Sequence, residues 1–332
     1  MRSFSIVLLS LTTLSSHGFD LNLPFFSSPF QSTPSKTKTS NTPVVICPGF
    51  GNDEIDYLTP LDQPRESSLI AALERRGFEN VYTIPLKRYE WIRVAGGLFD
   101  VPNFYTGNCL PTGLGYGWYV KRLKETVNQA YEETGEKVLL VGHSAGGWLA
   151  RAAMGDGIWS DDISTKDRVR CLVTLGAIHK APQDPNTCVT KGALLNTDVL
   201  YPGAFLKNDG IGYVSVGGCA VQGNNDKEEK EDLSNKSLEK ADEMYSIRGE
   251  GSAARVAFNS YTAVAGEGAL IGDGVVPFEW TQLDGSRQIS LDGVVHSINE
   301  AGTTIPSDRW YGSESVMDRW MSAVMEEAGL EQ

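Results

Sequence analysis

The sequence predicts an α/β fold with a mostly parallel central sheet and helices on both faces. Three observations predict it. Short runs rich in Val, Ile and Leu alternate with longer stretches of helical spacing. The short runs are continuously apolar, as expected of strands covered on both sides. The pentapeptide Gly142-His143-Ser144-Ala145-Gly146 falls between such a run and such a stretch, a strand–turn–helix setting. At 332 residues the chain can form one large α/β domain with a sizeable core.

The elements follow in order. Residues 43–47 are a β-branched run ending in Pro48-Gly49-Phe50-Gly51, read as a buried strand and a tight loop. Residues 64–76 have helical spacing, with Leu69, Ile70 and Leu73 on one face and Gly77 as a stop. Residues 80–86 are a second strand. Residues 116–134 are a helix whose apolar stripe is Val120, Leu123, Val127 and Ala130. Residues 137–141 are a third strand, and 145–154 a helix stopped by Gly155. Residues 169–175 and 213–216 are the fourth and fifth strands. Residues 253–261 are helical, 287–291 a sixth strand, and 313–328 a closing amphipathic helix.

Two stretches interrupt the alternation. Residues 88–115 carry Tyr89, Trp91, Phe99, Phe104 and Tyr105 among several glycines and read as a loop able to line an apolar pocket. Residues 181–250 read as a cap or lid insertion, and their mixed-charge part, 226–243, as a solvated loop. The chain thus divides into a signal peptide at 1–18, a transit-peptide-like or flexible segment at 19–42, and a domain at 43–330.

The leader rests on Arg2, the apolar stretch 4–14 and the small residues around Ser16-His17-Gly18. Between Leu21 and Asn52 there is no acidic residue, and 27–42 are rich in Ser and Thr with Lys36 and Lys38. This composition predicts delivery to a plastid through a bipartite presequence, with plain secretion as the alternative. No stretch reaches about 18 apolar residues, so no transmembrane helix is expected. The net charge of −13 argues against nucleic acid as a partner, because phosphate binding needs clustered Lys and Arg. Of five cysteines, Cys47 and Cys171 read as buried small hydrophobes, while Cys109, Cys188 and Cys219 lie in loop-like surroundings that permit one disulfide. No CxxC pair occurs, so a structural zinc site is not expected, and the reading calls for no other metal and no cofactor.

The pentapeptide supplies the chemistry. A sharp turn between strand and helix lifts a serine hydroxyl above the sheet edge, and the glycines at 142 and 146 relieve its crowding. Serine needs a general base. His17 lies in the leader, and the turn should send the His143 side chain elsewhere. His179 precedes any plausible acid and reads as structural or pocket-lining, though it remains an alternative base. His296 follows the last strand, as the order nucleophile, acid, histidine requires. Asp273, in Gly272-Asp273-Gly274-Val275-Val276-Pro277, is the best acid. Asp292 and Asp284 are alternatives, the first close in sequence to His296 and the second in Asp284-Gly285, which reads as a turn. The oxyanion donors are expected to be the backbone N–H groups of Ala145 and Phe50. Trp91 joins His143 and His179 as an expected pocket-lining residue.

The series PGFGN, GHSAGGWLAR, LGAIH, GDGVVP, LDGVVHS and WYGS resembles plastid-targeted proteins of α/β-hydrolase fold from plants and algae, grouped with lipase-like and inositol-deacylase-like hydrolases. The resemblance spans residues 43–322. It implies the α/β-hydrolase fold and a triad of Ser144, Asp273 and His296. Many lipases carry His-Gly where this chain has Pro48-Gly49, which keeps the backbone donor and removes one side chain. The expected activity is hydrolysis of carboxylic esters of small-molecule or lipid type through an acyl-enzyme, with peripheral membrane contact. An acyltransferase using the same triad and a non-catalytic ligand-binding homologue are the alternatives.

Overall fold

A computed structural model describes residues 37–156, 164–182, 187–225, 241–300 and 305–331. The expected leader at 1–18, the following segment as far as residue 36, and most of the mixed-charge loop, 226–240, lie outside the described residues.

Six parallel strands form the central sheet: β1 (Val44–Cys47), β2 (Val81–Thr83), β3 (Val138–His143), β4 (Val169–Leu175), β5 (Gly212–Cys219) and β6 (Arg287–Asp292). Their spatial order is β2-β1-β3-β4-β5-β6. β1 therefore has β2 on one side and β3 on the other, with Cys47 level with Gly142. This reversal of direction opens a crevice at the carboxyl ends of β1 and β3, where α/β sheets bind ligands.

Side chains alternate across the sheet with period two. Val45, Cys47 and Leu140 face a core shared with α2 (Gly117–Thr134) and α3 (Ala145–Asp156), where Tyr119, Leu123, Trp148 and Leu149 are buried. Val44, Ile46, Leu139 and Val141 face the opposite core. There α1 (Leu69–Arg75) supplies Leu69 and Leu73, and α6 (Glu314–Glu327) supplies Met317, Trp320 and Val324. Two further helices, α4 (Ala193–Leu200) and α5 (Ala241–Ala265), complete the set that bears on the site.

The structure departs from the sequence reading in four places. The first helix starts at Leu69, not at 64, because Ser68 caps it: its side chain accepts from Ala71 N–H at 3.0 Å, and Arg65–Ser67 form a separate 3₁₀ turn. The second strand ends at Thr83, just before Pro85, which lacks a donor. The segment 181–250 is not a single insertion, since it contains β5, a buried strand of the central sheet with a neighbour on each side. Residues 88–115 are not an open loop. Arg88–Phe99 wind as 3₁₀ turns, begun by Glu90 accepting from Lys87 N–H at 2.9 Å, and Val101–Thr106 form a short helix closed by a left-handed Gly107. All five cysteines are free thiols.

Ser68 is fully buried, so its cap cannot be replaced by water. Ser68→Ala is expected to cost about 1 kcal/mol of stability, read as a lower denaturant midpoint with an unchanged slope. An unchanged midpoint would show that the cap contributes nothing.

Candidate active site

Ser144 alone separates β3 from α3. Its φ is +51°, a left-handed conformation that is uncommon for a residue with a Cβ. The turn is held by Ser144 N–H donating to Leu175 O at 2.9 Å. It closes only because its neighbours are glycines. A Cβ on Gly146 would lie 1.9 Å from Cys47 O, and one on Gly142 would lie 2.5 Å from Gly147 Cα. The elbow thus presses against the end of β1 and aims Ser144 into the crevice.

His296 and Asp273 meet beside it. His296 Nδ1 lies 2.8 Å from Asp273 Oδ2, and His296 N–H donates to Asp273 O at 2.9 Å. The carboxyl is fully buried. Burial alone would raise its pKa. The charge and hydrogen bond of His296, the Val276 N–H and the Tyr311 hydroxyl outweigh that and hold it below the ordinary carboxylate value. Oδ1 accepts from Val275 N–H at 3.0 Å and Val276 N–H at 2.8 Å, and Oδ2 accepts from Tyr311 Oη at 2.8 Å. An ionised carboxylate only accepts, so His296 Nδ1 carries a proton, and in the neutral ring the lone pair is then on Nε2. Gly176, just past β4, makes room for the pair: a Cβ there would lie 2.7 Å from Asp273 Oδ2 and 3.0 Å from His296 Nδ1.

Ser144 and His296 line one cavity of about 430 Å³. No hydrogen bond joins the Ser144 hydroxyl to a described residue, a looseness common before substrate is bound. Phe50 and Ala145 also line the cavity, and neither backbone N–H is used by a described acceptor. The Gly49 N–H, in contrast, is spent on Tyr57 Oη at 3.1 Å. Two donors therefore remain free at the mouth of the elbow.

His143 lines the same cavity, but its polar atoms are occupied. Nε2 donates to His296 O at 2.9 Å, since a carbonyl can only accept. Nδ1 then accepts from Tyr57 Oη at 2.8 Å. Burial, followed by the charge of His296, holds His143 down to about 3, so it is neutral. Tyr57 is a hub: its hydroxyl also accepts from Asn52 Nδ2 at 2.9 Å. The Phe50 loop and the His296 loop are thereby tied together through Tyr57 and His143.

The other expected residues are placed differently. Trp91 is buried beneath Phe50, with ring centroids 5.1 Å apart, and donates Nε1–H to Asn52 O at 2.9 Å; it supports the Phe50 loop rather than lining the cavity. His179 lines a separate hollow of about 580 Å³ with Arg151, Asp198 and Asp284. Its Nε2 is bonded to Thr174 Oγ1 at 2.9 Å, and burial lowers its pKa well below the ordinary value. Asp284 borders that hollow, and Asp292 is exposed at the end of β6, so neither touches His296. Tyr57 and Tyr311 were missed by the sequence reading. Tyr311 belongs to the WYGS segment, which carried no assigned role, and nothing near Tyr57 marks it as a hub.

Among the described residues no three His, Cys, Asp or Glu side chains gather to hold a metal ion, and no helix is long and apolar enough to cross a membrane.

Residues 116–196 match the family model described as a PGAP1-like alpha/beta domain, a span that runs from α2 through the Ser144 elbow into α4. No curated protein matches the chain. Among solved structures, the mature form of the Bacillus licheniformis lipase BlEst2 is 13% identical, with 89% of this chain and 93% of that one covered at a TM-score of 0.45. Its propeptide form is 12% identical, covering 89% and 52% at a TM-score of 0.43. A structure of RedJ with a PEG molecule in its active site is 15% identical, covering 60% and 78% at a TM-score of 0.25. The strand order, the elbow after β3 and the loop after β1 give this chain the α/β-hydrolase fold.

His143 has a folded pKa of about 3 against an ordinary 6.5. Between those values the unfolded chain takes up a proton that the folded chain refuses, so stability is full above about pH 6.5 and falls as pH drops through the window. His143→Gln removes the titrating group, and its Tm should fall less steeply than that of the wild type between pH 6.5 and pH 4. Equal slopes would contradict the assignment of a buried, neutral His143.

Proposed function

We propose that the protein is a serine hydrolase of carboxylic esters with apolar acyl groups. One observation carries the reading: Ser144 on a strained elbow, His296 backed from behind by the buried Asp273, and two unspent N–H donors meet at one cavity, and no Lys, Arg, Asp or Glu lines it. A cavity without Lys, Arg, Asp or Glu suits a neutral, apolar group and offers a phosphate no charged side chain to pair with.

The chemistry follows from the atoms. Ser144 Oγ bonds to the ester carbonyl carbon while its proton passes to His296 Nε2. The carbonyl oxygen gains the electron pair and is held by the Phe50 and Ala145 N–H groups. Asp273 keeps the imidazole in the required tautomer and stabilises the imidazolium. The C–O bond to the alcohol breaks as His296 returns the proton to the leaving oxygen. Water then attacks the acyl-enzyme, giving its proton to His296, and the acid departs as Ser144 recovers its own.

The surroundings suit a lipid-like substrate. Tyr89, Ile92, Phe99 and Tyr105 are 74–84% exposed on the segment that borders the cavity through Val94, and Phe50 is exposed at the cavity itself. Several large apolar side chains on one exposed segment mark an interaction surface, and beside this mouth a lipid surface fits. That is the peripheral membrane contact the reading includes.

Ser144→Ala tests the reading. It should lower p-nitrophenyl ester hydrolysis by on the order of 10⁴-fold or more, with an unchanged circular dichroism spectrum. Activity retained in the variant would remove Ser144 as nucleophile.

A further inference from the structure

The cavity at Ser144 has a neighbour. A smaller hollow of about 50 Å³ lies under the 88–115 segment and shares Val94, Tyr116, Val189 and Thr190 with the main cavity. Beyond that shared wall it is lined by Phe104, Leu110 and Leu114 and by the backbone of Gly97, Gly113 and Gly115. It has space for about three water-sized groups, and so for a short run of methylenes. Asp100 and Lys191 also border it, and Lys191 Nζ sits 5.7 Å from the centre of the Phe104 ring.

An ester has two sides, and the reaction treats them differently. The alcohol must leave and be replaced by water, so its side faces the open mouth. The acyl group stays bonded to Ser144 Oγ through half of the cycle and needs an enclosed apolar place. The hollow beyond Tyr116 supplies apolar wall for it, from Phe104, Leu110 and Leu114. Tyr116 is itself fixed, buried and edge-on to Trp148 at 5.1 Å.

We infer that the substrate's acyl chain runs from Ser144 past Tyr116, between Val94 and Val189, and ends in the hollow under Phe104 and Leu114. This rests on the ester-hydrolase reading and adds the substrate class: esters of medium-length, unbranched fatty acids. The Asp100–Lys191 border sets the limit, because a longer tail would push methylenes against two charged groups.

Gly97 offers a clean test. It is buried, its backbone is not left-handed, and a Cβ there would meet only Phe104 Cδ2 at 3.8 Å and Gly115 Cα at 3.9 Å, ordinary contact distances. Both neighbours line the hollow, so a side chain at 97 fills it without forcing the backbone. Leu114 is 61% exposed and can be shortened without opening the core.

The experiment measures kcat/KM for p-nitrophenyl acetate, butyrate, hexanoate, octanoate and decanoate with the wild type, Gly97→Val and Leu114→Ala. Each methylene denied an apolar site lowers kcat/KM by about fourfold. Gly97→Val should therefore lose about tenfold or more on octanoate and stay within about twofold of the wild type on acetate. Leu114→Ala should move the preferred length upward. Identical chain-length profiles in all three proteins would overturn the inference while leaving the ester-hydrolase reading intact, and so would an equal loss by Gly97→Val on acetate and octanoate. Absence of hydrolysis by the wild type on every ester would overturn that reading and the inference with it.

Discussion

Ser144 carries a side chain where the backbone favours none. A left-handed φ on a residue other than glycine costs roughly 1–2 kcal/mol, and the fold around the elbow is arranged so that this conformation is the only one that fits. Gly146 must touch the end of β1 and Gly142 must touch Gly147. The Ser144 N–H must reach across to the end of β4. Three neighbouring strands therefore set the position of one hydroxyl. Because β1 and β2 lie on one side of the switch in strand order and β3 onward on the other, the Phe50 loop and the elbow emerge into the same crevice.

A second layer holds what faces Ser144. Buried polar groups are costly unless they are bonded, and here they are bonded to each other in two short chains. One runs from Gly49 and Asn52 through Tyr57 and His143 to the carbonyl of His296. The other runs from Gly218 N–H through Tyr311 to Asp273 and on to the His296 ring. The backbone of His296 is thus anchored from one side and its imidazole from the other. With its ring and main chain both held, the imidazole keeps one orientation in the cavity it shares with Ser144.

Much of this frame was legible in the sequence. The GxSxG pentapeptide between a predicted strand and a predicted helix singled out Ser144. Counting histidines against chain order singled out His296, and a glycine-flanked aspartate singled out Asp273. Element ends were read less well because a strand end depends on a single residue such as Pro85 and a helix start on a buried cap such as Ser68. The 88–115 segment read as a loop because its glycines outweighed its weak spacing, yet those glycines let 3₁₀ turns pack closely enough to roof a hollow. In the 181–250 stretch the strand at 213–216 was read from its apolar run, but shorter than the observed Gly212–Cys219, whose glycines weaken the signal at its ends. Tyr57 and Tyr311 could not be found from spacing, because each meets its partner only when loops 86 and 38 residues apart in sequence converge. His179 has a buried environment like that of His143, and only the fold separates a histidine at the Ser144 cavity from one facing another hollow.

The proposed chemistry stands on Ser144 as nucleophile, primed by its position and by the His296–Asp273 pair. Reaction of the purified protein with a fluorophosphonate, followed by intact mass and peptide mapping, measures this directly. A single adduct is expected, on the peptide that carries Ser144. An adduct on a different residue, or none from a preparation that hydrolyses esters, would contradict it.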